Sequence, residues 1–315
     1  MPIGAEPTVD GVHFRVWAPG HSRVDLVVAE TVVALTSDGK GYFAVTAPEL
    51  AAGARYGFRV DGEEKVYPDP ASRYQPDGPH GLSAVVDPES FIWTDAAWAG
   101  ATTRNQVIYE MHVGTFTHEG TYAAAVTKLA HLAKVGVTVI ELMPLAEFEG
   151  TFGWGYDGVD WFAPTRLYGD PDALRAFVDR AHAEGISVIL DVVYNHLGPD
   201  GNYLKCFSEA YFDSKHTTDW GEALNYDGAL SAGVREYVLA NVRHWISEYH
   251  FDGLRIDATQ DIHDTSAVNI LRAITEEARA AAGAKSVIII AENEPQDAEL
   301  VRNLGYDLLW NDDFH

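Results

Sequence analysis

Hydrophobic and polar positions alternate with a period of two along the front of the chain. Val12, Phe14 and Val16 alternate with His13, Arg15 and Trp17, and Val24, Leu26 and Val28 repeat the pattern, as do Tyr56, Phe58 and Val60. Turn formers punctuate the runs at Pro19-Gly20, Asp38-Gly39 and Asp61-Gly62. Successive side chains of a strand point to opposite faces, so this repeat predicts half-buried strands and an antiparallel β-sandwich. Between 67 and 100 the segments Tyr67-Pro-Asp-Pro70, Asp77-Gly-Pro79 and Asp87-Pro88 are too rich in breakers for a helix and predict an irregular connection.

After residue 105 the period changes. Apolar runs at 107–113, 137–143, 186–193, 253–256, 287–291 and 307–310 alternate with helical stretches at 122–134, 171–183, 232–249, 265–282 and 297–304. Strands apolar on both faces, separated by helices, predict a parallel sheet with both faces covered. Six β units are present where a closed barrel has eight. The expected architecture is an N-terminal antiparallel β-sandwich over 1–92, followed by an incomplete (β/α)8 TIM barrel over 93–315. Its first and sixth strands lack closing neighbours and leave unpaired edges. The chain is therefore expected to be a fragment of a longer enzyme, with little turnover when isolated.

Composition narrows the function. The 315 residues carry 47 acidic and 22 basic side chains, a formal net charge of −25. Such a surface repels a polyanion, which argues against nucleic acid as partner, whereas a neutral sugar is indifferent to it. No run approaches the roughly 18 apolar residues of a membrane span. The start, Met-Pro-Ile-Gly-Ala-Glu-Pro, lacks the basic-then-apolar pattern of a secretion signal. The single cysteine, Cys206, cannot form a disulfide within the chain, which fits the cytoplasm. Histidines are scattered without an H-E-x-x-H pair, so no zinc site and no cofactor are expected. Residues 153–158 match G-x-G-x-x-G, but no strand leads into them and Pro164 breaks the stretch where a helix would have to begin, so a dinucleotide site is rejected. No G-x-S-x-G nucleophile elbow occurs.

Three acids fall at the ends of apolar runs, where barrel active sites lie: Asp191, Asp257 and Glu292. Arg255 precedes Asp257 by two positions and shares its face; a guanidinium there favours the ionised carboxylate that a nucleophile requires. Glu292 follows Val287-Ile-Ile-Ile-Ala291, and partial burial would raise its pKa and suit it to general-acid work. One charged and one protonated carboxyl are what a glycosidase needs, with retention if they stand about 5–5.5 Å apart. Asn195 and His196 can hydrogen-bond sugar hydroxyls; Asp191 and Asn195 could equally serve a calcium ion. The loop at 153–158 is expected to present Trp154 and Tyr156 to a flat sugar face, with plain aromatic packing as the alternative.

Taken together, Asp191-Val-Val-Tyr-Asn-His196, Gly253-Leu-Arg-Ile-Asp-Ala258, Ile290-Ala-Glu292 and Gly155-Tyr-Asp157 resemble, in order and spacing, the shared regions of the α-amylase family of glycoside hydrolases over 105–315. Val16-Trp-Ala-Pro19 resembles the module that precedes the barrel in branching and debranching members. The resemblance implies Asp257 as nucleophile and Glu292 as general acid/base. It implies that Arg255, His196 and Tyr156 hold the sugar, with Asp191 and Asn195 in support. Tyr109-Glu-Met-His-Val-Gly-Thr-Phe116, Glu292-Asn-Glu-Pro-Gln296 and Trp310-Asn-Asp-Asp-Phe-His315 resemble the members that act on maltooligosyltrehalose. Hydrolysis beside its terminal trehalose is the expected reaction. An α-glucan branching enzyme and a truncated, non-catalytic glucan binder are the alternatives. The family's third carboxylate follows the seventh strand, beyond this chain; Asp312-Asp313 belongs to the sixth loop and does not replace it.

Overall fold

The computed structural model describes residues 2–310. Two antiparallel four-stranded sheets form the N-terminal part. One runs Gly4–Thr8, Gly11–Trp17, Tyr42–Ala47, Thr36–Ser37 in spatial order; the other runs Thr31–Ala34, Val24–Val28, Arg55–Val60, Ser83–Ala84. Of the period-two residues, Val12, Phe14, Val16, Val24, Leu26, Tyr56, Phe58 and Val60 are buried and Val28 is half-buried, while Trp17, Asp25 and Val27 at the intervening positions are buried as well.

The second part is a six-stranded, wholly parallel sheet whose spatial order is the sequence order: β1 (Ile108–Met111), β2 (Val139–Leu142), β3 (Ser187–Val192), β4 (Gly253–Ile256), β5 (Ile288–Glu292) and β6 (Leu308–Trp310). This is the expected incomplete barrel. Every residue of β2, β3 and β4 is buried, as a sheet covered on both faces requires. Register assigns one face of each strand to the barrel interior. Asp191 pairs with Arg255, Arg255 with Ile290, and Glu141 with both Ile189 and Glu110. Ile108, Val139, Ile189, Ile288, Ile290, Leu308 and Trp310 pack together as a separate inner core.

The connecting helices follow their end signals. Asp170 caps Pro171–Ala183 by accepting the Ala173 N–H at 2.8 Å, with proline in the first turn. The stretch expected as one helix at 122–134 is two, Tyr122–Val126 and Leu129–Val135. Between them the Thr127 hydroxyl donates to Ala124 O at 2.7 Å, a side-chain bond that competes with helix continuation. The helix expected from 265 starts at Ile270. Asp264 binds the N–H groups of Ser266 and Ile270, and Asn269 caps Leu271 at 2.8 Å, so residues 264–269 form a side-chain-tied loop. Two short antiparallel pairs had no counterpart in the sequence pattern: Ala146–Glu147 with Asp160–Pro164, and Phe212–Thr218 with Gly221–Leu224.

Sandwich and barrel share one continuous core, and Trp17 is its hinge-pin. The indole packs edge-on to Tyr211 at 5.0 Å and lies against Gly233 of the helix Ser231–Glu248. A Cβ at 233 would stand 2.2 Å from the Trp17 ring. Overpacking of this kind costs about 1–3 kcal/mol, more than the roughly 0.5–1 kcal/mol alanine gains over glycine in a helix. Gly233→Ala is thus expected to lower the urea midpoint; an unchanged or higher midpoint would show that Trp17 yields freely.

Candidate active site

The barrel strands deliver three carboxyls to their C-terminal end. Asp191 is the fifth residue of β3, Asp257 follows β4, and Glu292 closes β5. The ladder continues one step past β4, where the Asp257 N–H donates to Val192 O at 3.0 Å, so the Asp257 backbone is held as firmly as a strand.

Arg255 organises the group. Its Nη1 donates to both Asp191 oxygens at 2.9 Å and to Asp257 Oδ1 at 2.8 Å, and its Nη2 reaches Glu292 Oε1 at 2.8 Å. One guanidinium therefore serves three acids, each on a different strand end. Burial works against the Arg255 charge, but the fields of Asp191, Glu292 and Asp257 outweigh it and raise its pKa. Asn195 Nδ2 donates to Asp257 Oδ2 at 2.8 Å and to its main-chain oxygen at 3.1 Å. Its Oδ1 faces His196 Nδ1, and burial lowers the His196 pKa. Tyr156 OH donates to Asp191 Oδ2 at 2.8 Å. Asp191, fully buried, is pushed up to about 7 by burial, against the pull of Arg255.

Glu292 is the more open acid, its side chain 30% exposed. It accepts the Ala258 N–H on Oε2 at 2.9 Å, and through Arg255 it shares a guanidinium with the Asp257 carboxyl. Its pKa is raised, first by burial and then by the nearby Asp257 charge, while Arg255 and the Ala258 amide oppose the rise.

The structure thus brings six predicted residues together: Tyr156, Asp191, Asn195, Arg255, Asp257 and Glu292, with His196 beside Asn195. Trp154 stands apart. It is 73% exposed and, with Tyr109, His112, Phe116 and Met143, lines an open groove of about 630 Å³. The Tyr156 loop owes its path to Gly155, whose φ is +96° and whose Cβ, if present, would lie 2.1 Å from Pro144 O. The side chains of Asp191 and Asn195 are hydrogen-bonded to Arg255, Tyr156, Asp257 and His196. Among the described residues no group of three or more His, Cys, Asp or Glu is arranged to hold a metal ion. Asp312-Asp313 lies outside the described residues.

Two side chains were not anticipated. Trp220, on the hairpin after β3, stacks over His196 with centroids 5.9 Å apart and is 57% exposed. Glu141, in β2, points into the barrel interior; it is fully buried and, among the described residues, neither of its oxygens has a hydrogen-bond partner. Burial, reinforced by Asp191, pushes its pKa up to about 9, against the pull of Arg255. The available signal was a lone acid inside the apolar run Val137-Thr-Val-Ile-Glu-Leu-Met143.

Comparison with known proteins agrees with this fold. Residues 85–221 match the α-amylase catalytic domain, and residues 2–75 match carbohydrate-binding module 48, the isoamylase N-terminal domain. The chain is 43% identical to a malto-oligosyltrehalose trehalohydrolase of Saccharolobus solfataricus, covering 100% of this chain and 56% of that protein. It is 44% identical to one of Deinococcus radiodurans, covering 99% and 51%. A crystal structure of a Salmonella typhimurium protein described as an α-amylase superposes with a TM-score of 0.92 at 41% identity, over 99% of this chain and 54% of that one. The chain spans about half the length of the curated relatives it matches.

Proposed function

The chain belongs to the α-amylase family of glycoside hydrolases, and from that we propose that it carries the nucleophile and the general acid/base of a retaining hydrolase. Its reaction is scission of the α-1,4 bond beside the terminal trehalose of maltooligosyltrehalose, releasing trehalose and a shorter maltooligosaccharide. The observation that carries the chemistry is the Arg255-centred cluster, in which one guanidinium contacts both Asp257 and Glu292. The choice of substrate is supported by the names of the relatives at 43% and 44% identity.

In the first displacement Asp257 attacks the anomeric carbon while Glu292 gives its proton to the departing glycosidic oxygen. The trehalose-side fragment leaves as an alcohol and the sugar stays on Asp257 as an ester. Glu292, now ionised, takes a proton from water, whose oxygen displaces Asp257. Arg255 and Asn195 supply the donors that the Asp257 carboxylate needs before and after the ester forms. His196 and Tyr156 orient the sugar at the cleavage point. Trp220 and Trp154 offer exposed aromatic faces on which sugar rings can stack.

The proposal extends to a division into a glucan-binding sandwich over 1–92 and a catalytic barrel from 93. It also extends to a cytoplasmic location, in keeping with the single cysteine. No helix among the described residues is long and apolar enough to cross a membrane.

Product analysis tests the proposal. The complete natural protein, given maltooligosyltrehalose, is expected to release trehalose. Longer branched glucans would instead make it a branching enzyme, and no product from any α-1,4-glucan would sink the hydrolase reading.

A further inference from the structure

Thr259 takes no part in the chemistry above, yet its hydroxyl has an unusual address. The residue is 3% exposed. Its Oγ1–H donates to the main-chain oxygen of Glu292 at 2.6 Å, and the same Oγ1 accepts from Asn293 Nδ2 at 3.1 Å. Asn293 is buried as well and is itself pinned: its Oδ1 accepts the Asp297 N–H at 2.8 Å, and its own N–H donates to Trp310 O at 2.9 Å. The relay Asn293–Thr259–Glu292 therefore ties the loop after the nucleophile to the residue that ends β5.

Ala258 completes the grip. It lies between Asp257 and Thr259 with φ +41°, in the left-handed region that is uncommon for a residue with a Cβ and that tends to occur at functional sites. That conformation turns its N–H to Glu292 Oε2. Two consecutive residues after Asp257 thus hold Glu292 at both ends, Ala258 by the carboxyl and Thr259 by the backbone. A hydroxyl that needed only a buried partner could take any carbonyl; this one takes that of the candidate acid/base.

The geometry points to Thr259 as a positioning residue that sets Glu292 at its working distance from Asp257 through the hydroxyl relay to Asn293. This rests on the proposed glycosidase reading. A general acid must lie within hydrogen-bond reach of the oxygen it protonates, and a misplacement of about 1 Å can cost on the order of 10²-fold in rate. Loss of the relay should therefore hurt only reactions whose leaving group needs a proton.

The test compares kcat/KM for two substrates in the complete natural protein: maltooligosyltrehalose, whose alcohol leaving group needs the proton, and α-maltosyl fluoride, whose fluoride departs as an anion. Thr259→Val is expected to lower the first about 10–100-fold and to leave the second within about threefold. Thr259→Ser, which keeps the hydroxyl, is expected to match the parent on both. Thr259→Ala carries the same comparison if the valine variant does not fold. Equal losses on both substrates would overturn the positioning role while leaving the glycosidase reading intact. A parent protein inactive on both would overturn the reading itself, and the role of Thr259 with it.

Discussion

Asp257→Asn is expected to lower kcat by on the order of 10⁴-fold or more, as removal of a catalytic nucleophile does elsewhere, without loosening the fold. The amide cannot form the glycosyl ester, so the first displacement has no acceptor. Its shape matches the carboxylate, and the strand-like backbone bond from Asp257 N–H to Val192 O does not involve the side chain. The substitution also removes one negative charge from a set of acids served by a single guanidinium, so electrostatic repulsion around Arg255 falls. The amide keeps one of the two acceptors that Arg255 and Asn195 use and sets its NH2 against the other donor, which offsets that relief, so the melting temperature should stay close to the parent's while turnover disappears and maltooligosaccharide binding, measured by calorimetry, persists. Activity within tenfold of the parent would remove Asp257 from the nucleophile's role. Loss of turnover accompanied by a large fall in melting temperature would mean that Asp257 is a structural ion-pair partner.

The strand-end acids were legible because each one interrupts an apolar run abruptly, and a parallel sheet carries all such interruptions to one rim. Asp191, Asp257 and Glu292 meet for that reason, and Arg255 was predicted beside Asp257 from the two-residue period alone. The period could not show that Arg255 also reaches Asp191 and Glu292, because that depends on strand register across β3, β4 and β5. Tyr156 arrives from a loop whose course is set by the contact of Gly155 with Pro144, a tertiary constraint without a local signature. Trp220 was missed because Asp213-Ser-Lys-His-Thr-Thr-Asp219 is polar throughout and shows no alternation from which a hairpin could be inferred. The late start of the helix at Ile270 has a similar cause: Asp264 and Asn269 satisfy backbone donors with side chains, and that choice is settled by hydrogen bonding instead of hydrophobic period.

Glu141 carries the second large expectation, that Glu141→Gln stabilises the protein by an amount that grows with pH. The carboxyl is fully buried, with no hydrogen-bond partner among the described residues. The titratable and charged groups acting on it are Asp191, Glu110 and Glu292, which disfavour its ionisation, and Arg255, which favours it. Its folded pKa is raised from 4.5 to about 9, so between those values the native state keeps a proton that the unfolded chain has released. Stability must then fall as pH rises across that window, by about 1.4 kcal/mol per unit. The cost of keeping Glu141 protonated is absent below the unfolded value and amounts to roughly 3 kcal/mol at pH 7. Glutamine fills the same space and has no proton to lose, so the variant escapes the slope. Its advantage over the parent in urea denaturation should be near zero at pH 4.5 and increase steadily to pH 8. The titration of Asp191 contributes to both proteins and largely cancels in the difference. A stability gap that stays constant with pH would show that Glu141 ionises in the native state, and the barrel interior would then have to accommodate a further negative charge near Arg255.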